Sequence, residues 1–139
     1  MFYFSLILNF DKFVLQFYEK LMKFTIENDD NIIVFSIKEN SIGAELAPDL
    51  KAKILIEAQP NIKGMIFEMS NVQSMDSSGL GSLLLANRQL RDFSVPVMIV
   101  QATPFVKNLM EMTKINQLFE FFDTTEQAKQ KVLMNNSQN

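Results

Sequence analysis

The stretch GMIFEMSNVQSMDSSGLGSLLLANRQL, residues 64–90, sets the frame for the whole chain. It opens on a short apolar run, Gly64-Met65-Ile66-Phe67-Glu68-Met69, that reads as a buried strand. It then passes through Asp76-Ser77-Ser78-Gly79 into a helix with Leu80, Leu83, Ala86, Leu90 and Phe93 on one face. A strand feeding an amphipathic helix in this way is the repeating unit of folds that pack helices on a sheet.

The alternation continues outward in both directions. Upstream, Phe24 to Glu27 and Asn31 to Lys38 read as two strands joined by the turn Asn28-Asp29-Asp30-Asn31. The run Ile32-Ile33-Val34-Phe35-Ser36-Ile37 is continuous rather than alternating, as expected of a strand covered on both faces. A helix follows from about Ala47, with Pro48 in its first turn, Asp49 at the positive end of its dipole, and Leu46, Leu50 and Ile54 as its apolar stripe. Pro60 ends it.

Downstream, Pro96 precedes the strand Val97-Met98-Ile99-Val100, and Thr103-Pro104 marks the start of a third helix. Its residues Phe105, Leu109 and Met112 recur at helical spacing and read as core. Phe119-Glu120-Phe121-Phe122 reads as a short edge strand. Thr124 with Gln127 forms a capping-box pattern for a last helix reaching about Met134. The order β-β-α-β-α-β-α-β-α makes this an α/β chain with right-handed crossovers. Residues 135–139 read as a polar, disordered tail.

Composition removes several kinds of chemistry. The 139 residues include no His, no Cys and no Trp. A Ser-His-Asp or Cys-His site has no imidazole to accept its proton, and thiolate-imidazole zinc sites and disulfides are excluded. Thirteen Lys and Arg stand against 16 Asp and Glu, a formal charge of −3 with no basic tract to meet phosphates, so nucleic acid is not an expected partner. The acidic residues Glu68, Asp76, Glu111 and Glu120 are scattered and form no acid–base couple, while Glu45, Asp49 and Glu57 read as a solvated helix face. No metal or cofactor is implied.

Residues 1–22 differ from the rest. Phe10, Phe13, Val14, Phe17, Tyr18 and Leu21 fall at helical spacing, opposite Asn9, Lys12, Gln16, Glu19 and Lys20. The segment lacks the basic start and small-residue cleavage site of a signal peptide, and Asp11 and Lys12 break it too early for a membrane span. Three readings stand side by side: a helix docked on the domain or on a second copy, a stretch that is not translated because synthesis starts at Met22, and a helix lying on a membrane surface.

One segment carries the chemistry of a site: Ser74-Met75-Asp76-Ser77-Ser78-Gly79-Leu80-Gly81-Ser82. It stands where a strand ends and a helix begins, and Gly79 and Gly81 leave the first-turn N–H groups approachable at the positive end of the dipole. A plain N-cap with a loosened turn explains the same residues. A Walker loop fails for want of a Lys, the dinucleotide pattern G-x-G-x-x-G fails at Leu84, and a G-x-S-x-G elbow is absent.

The string Met75-Asp76-Ser77-Ser78-Gly79-Leu80-Gly81 resembles the signature of the STAS domain, and within it the anti-sigma factor antagonists. The resemblance runs from about Phe24 to Leu133, and Ile115 to Thr124 resembles the family's Leu-Phe-x-aromatic-Asp ending. The domain boundaries that follow are 23–134. The resemblance implies a mixed β-sheet with helices packed mainly on one side, and a cytoplasmic binding protein rather than an enzyme. It implies a partner that is both anti-sigma factor and ATPase-type serine kinase, release of a sigma factor on binding, phosphorylation of Ser77, and reversal by a PP2C-type phosphatase. Asp76, Ser78, Gly79, Leu80 and Gly81 would form the partner-binding surface.

One loop departs from the pattern: where many members carry a Gly-x-Leu-Asp turn, this chain has Lys38-Glu39-Asn40-Ser41-Ile42-Gly43. The rival reading is a STAS accessory subunit of an ABC lipid-transport system, in which Ser77 need not be modified. Met110, Met112, Ile115, Leu118, Phe119, Phe121 and Phe122 form a cluster that could line a homodimer or partner surface.

Overall fold

The computed structural model describes residues 12–137. Helix α1 (Lys12–Leu21) is followed by strands β1 (Phe24–Asp29), β2 (Ile32–Ile37) and β3 (Ser41–Ile42), then helix α2 (Ala47–Glu57). Strand β4 (Gly64–Glu68), strand β5 (Ser74–Met75) and helix α3 (Ser77–Leu90) come next. Strand β6 (Val97–Val100), helix α4 (Pro104–Met112), strand β7 (Glu120–Phe122) and helix α5 (Thr125–Ser137) complete the order.

The main sheet runs β1-β2-β4-β6-β7. Only the β1–β2 pair is antiparallel; the other three pairs are parallel. The β1–β2 hairpin closes on Asp30 and Asn31, whose φ values of 52° and 66° give the left-handed turn that matches strand twist. Strand β1 therefore runs two residues further than the sequence suggests, while β2 starts and ends one residue inside its expected range, leaving a two-residue turn rather than a four-residue one. The Asn28 side chain accepts from the Asn31 N–H at 2.9 Å and tightens it.

The continuous apolar runs are buried on both sides because each sheet face is covered. Ile33, Phe35, Met65, Phe67 and Ile99 meet Leu50 and Ile54 of α2, Leu83, Ala86 and Leu90 of α3, and Val106 and Met110 of α4. Phe35 and Phe67 stack at 5.1 Å at the centre of this layer. On the other face Ile32, Val34, Ile66, Met98 and Val100 meet Ala128 and Val132 of α5. The α/β architecture with most helices on one side is thus the one expected.

Three expectations need correction. Phe105, Leu109 and Met112 are not the core stripe of α4. Phe105 and Met112 are 49% and 81% exposed, Leu109 is half-buried, and Val106 and Met110 point inward instead. Thr103 sets that rotation. Its Oγ1 donates to the Val72 carbonyl at 2.7 Å and accepts from the Val106 N–H at 3.4 Å, pinning the first turn to the loop after β4.

Phe93 is also on the surface, because α3 gives way to a 3-10 turn at Arg91–Phe93 and Val95 returns to the core in its place. Finally, α5 runs through the expected tail to Ser137, whose hydroxyl donates to the Met134 carbonyl. Of the capping box at its start, the Thr124 half is present: the Gln127 N–H donates to Thr124 Oγ1, while the Gln127 side chain accepts from the Asp123 N–H, one residue before the cap.

Residues 1–11, the first half of the amphipathic segment, and residues 138–139 lie outside the described residues. Its second half is α1, where Phe13 and Phe17 are 74% and 57% exposed. Those two rings are not packed into the domain.

Candidate functional site

Beyond the carboxyl ends of β2 and β4 the chain forms a second, two-stranded parallel sheet. It pairs Ser41 with Ser74 and Ile42 with Met75. Strand β5 runs straight into α3, so Asp76 becomes the N-cap of that helix. Its extended backbone lets Oδ1 accept from the Ser78 N–H at 2.9 Å and the Gly79 N–H at 3.1 Å. The Ser78 hydroxyl donates to the same oxygen.

These bonds hold the Asp76 carboxyl below the usual carboxylate range. The Ser78 hydroxyl contributes most, then the Gly79 N–H; desolvation works against them, and the Ser78 and Ala44 N–H groups add smaller shares. Asp76 is ionised at neutral pH and fixed in direction, with Oδ2 turned toward Gly43. A Cβ at position 43 would stand 3.2 Å from that oxygen.

Gly79 is required by its surroundings. A Cβ there would lie 2.3 Å from the Ile42 carbonyl oxygen and 2.5 Å from Met75 Cγ. The helix therefore presses directly on the β3–β5 pair, and Gly79 is buried. It shapes the site from beneath and does not offer surface to a partner. Leu80 is half-buried against the main core, and Gly81 is half-buried with open space above it, bounded by Lys51.

The segment holds four serines: Ser74 is half-buried in β5, and the three of α3 are in different states. Ser82 is fully buried and donates to the Ser78 carbonyl at 3.2 Å. The Ser78 hydroxyl is engaged by Asp76. Ser77, the first residue of α3, is exposed, and among the described residues nothing hydrogen-bonds to its hydroxyl. Of the six residues singled out in the sequence, Asp76, Ser77, Ser78, Leu80 and Gly81 line one end of α3 and Gly79 supports them.

A groove of about 350 Å³ adjoins this end, lined by Lys23, Glu39, Asn40, Ser41, Gly43 and Glu45. It belongs to the loop that departs from the family pattern, and its mixed charges differ from the single carboxylate of Asp76. Lys51, on α2, is a neighbour of the site that sequence reading passed over; only the packing of α2 on α3 brings it there. Among the described residues no group of three acidic side chains gathers to hold a metal ion, and no helix is long and apolar enough to cross a membrane.

The STAS domain family model matches residues 23–128, most of the chain. The chain belongs to the STAS domain family. Solved structures agree with this fold. An anti-sigma factor antagonist from Mycobacterium paratuberculosis superposes with a TM-score of 0.68 at 21% identity, over 78% of this chain and 92% of that one.

The anti-sigma factor antagonist SpoIIAA in its unphosphorylated form gives 0.61 at 21% identity, over 80% and 97%. The phosphorylated form of SpoIIAA from Bacillus gives 0.64 at 20% identity, over 78% and 98%. At such identities the likeness is one of fold. The STAS match begins two residues after α1 ends, so α1 is an addition to the family domain.

Proposed function

We propose that this STAS domain is an anti-sigma factor antagonist whose binding to an anti-sigma factor serine kinase frees a sigma factor in the cytoplasm, and that phosphorylation of Ser77 switches it off. The chain is the substrate; the kinase supplies ATP, metal and base, and a PP2C-type phosphatase resets the site. The observation that carries this reading is the contrast among the three serines of α3. The Ser77 hydroxyl is exposed and free at the head of α3, whereas those of Ser78 and Ser82 are engaged. Similarity in fold to antagonists solved with and without phosphate supports it.

The physics of the switch is local. A phosphate on Ser77 adds about −1.5 to −2 charges beside the ionised Asp76. Within the monomer that charge faces water and the positive end of α3, so folding is little affected. At an interface it loses its water, which costs a few kcal/mol without a cationic partner, roughly a hundredfold in affinity. Ser77→Asp or Ser77→Glu should abolish capture of the cognate kinase in a pull-down while leaving Tm within a degree or two of wild type. Ser77→Ala should bind and resist switching. Capture of the kinase by the Asp variant at wild-type strength would refute the reading.

A second reading, an accessory subunit of an ABC lipid-transport system, draws on the exposed Phe13 and Phe17 of α1. Co-purification separates the two: a serine kinase in the first case, a membrane-bound ATPase in the second.

A further inference from the structure

We propose that Lys51 is the intramolecular counter-ion of a phosphate on Ser77, so that the modified site is a lysine–phosphoserine pair and not a bare dianion. This rests on the reading of Ser77 as the phosphate acceptor.

Lys51 belongs to α2, but its side chain crosses to α3. Its Nζ and Cε lie 3.5 and 3.7 Å from where a Cβ on Gly81 would stand. Gly81 is four residues beyond Ser77, one turn along the same helix face, where Cβ positions are about 5–6 Å apart. The ammonium therefore already stands over the stripe that Ser77 begins. Because residue 81 is glycine, no side chain of α3 at that position separates it from the Ser77 hydroxyl.

Two further features fit. The base of the side chain is fixed, since Leu50 and Ile54 on either side of it are fully buried. Its charge is unspent: among the described residues the ion pairs are Lys63–Asp30 and Lys129–Asp29, and Lys51 is in neither. Asp76 is not paired with it: Oδ1 is occupied by the N–H groups of its own helix, and Oδ2 is turned toward Gly43. Lys53, two residues on and exposed, faces elsewhere on α2.

Phosphorylation would then alter the surface at two points. It places negative charge at Ser77 and draws Lys51 away from its position beside Gly81. A partner that met the lysine in the unmodified protein would lose that contact as it gained the phosphate.

The test uses the full chain with phosphoserine installed at position 77 during translation, followed by ³¹P NMR as pH is varied. An ammonium close to the phosphate favours its dianion. The second ionisation should therefore fall at lower pH in wild type than in Lys51→Met, by about 0.3–1 unit. Lys51→Arg should restore the wild-type midpoint, and Lys53→Met should leave it unchanged. Asp76 and Glu45, the acidic neighbours, are common to all these proteins and cancel in the comparison. Equal midpoints in wild type and Lys51→Met would overturn the proposal, as would an equal shift in Lys53→Met. Because the phosphate is installed without a kinase, failure here leaves Ser77 standing as a substrate, and failure of a kinase to modify Ser77 leaves the ion pair measurable.

Discussion

Two glycines of the same helical turn differ sharply in what they tolerate. At Gly79 an added Cβ would meet the Ile42 carbonyl at 2.3 Å, and backbone cannot yield as a flexible side chain can. At Gly81 it would meet only the end of Lys51, at 3.5 Å. Gly79→Ala should therefore cost on the order of 1–3 kcal/mol in urea unfolding, as overpacking of a fixed contact does. Gly81→Ala should be neutral or stabilise by up to about 1 kcal/mol, the ordinary helix preference for Ala. Equal losses at both positions would contradict the different roles assigned to them.

Asp76 makes the stability of the fold depend on pH. Its folded pKa lies below the unfolded value of about 3.9. The stabilisation it provides is thus complete above that value and is lost as pH falls through the lower, folded one. The Tm difference between wild type and Asp76→Ala should be constant from neutral pH to about pH 5 and shrink below about pH 4. A difference that widens on acidification would count against the capping geometry.

Helix α4 shows what an element's own sequence leaves undecided. Its apolar residues offer two stripes, Phe105-Leu109-Met112 and Val106-Met110, each compatible with a 3.6-residue period. The choice is made by the hydrogen bond from Thr103 to Val72, a contact between residues 31 apart that no local pattern records. Met110→Ala should cost about 2–5 kcal/mol, while Met112→Ser should stay within about 0.5 kcal/mol of wild type, by chemical denaturation. The reverse ranking would restore the stripe expected from the sequence. Strands β3 and β5 were hidden for a related reason. Each has two residues, and each exists only because the other is alongside it.

Across the whole molecule the legible parts are those with strong local signals. The unbroken apolar run of β2 announced a strand covered on both faces, and the caps at Asp76, Thr103 and Thr124 marked three helix starts. The candidate site was legible as a string because its capping carboxylate does its work within one turn. What the string does not contain is the state of each hydroxyl, the pressure of Ile42 on Gly79, or the approach of Lys51 from another helix. The last two arise from packing between distant segments. The hydroxyl states come from side-chain bonds within one turn, which separate Ser77 from its neighbours and which residue types alone do not fix.

Among the three serines of α3, Ser77 alone presents a free and exposed hydroxyl, and on that distinction the whole switch depends. Site-resolved mass spectrometry of the protein isolated from its own cells addresses it without any engineered change. Phosphate should be found on Ser77, with Ser78 and Ser82 unmodified. Phosphate on Ser78 or Ser82, with Ser77 bare, would contradict it.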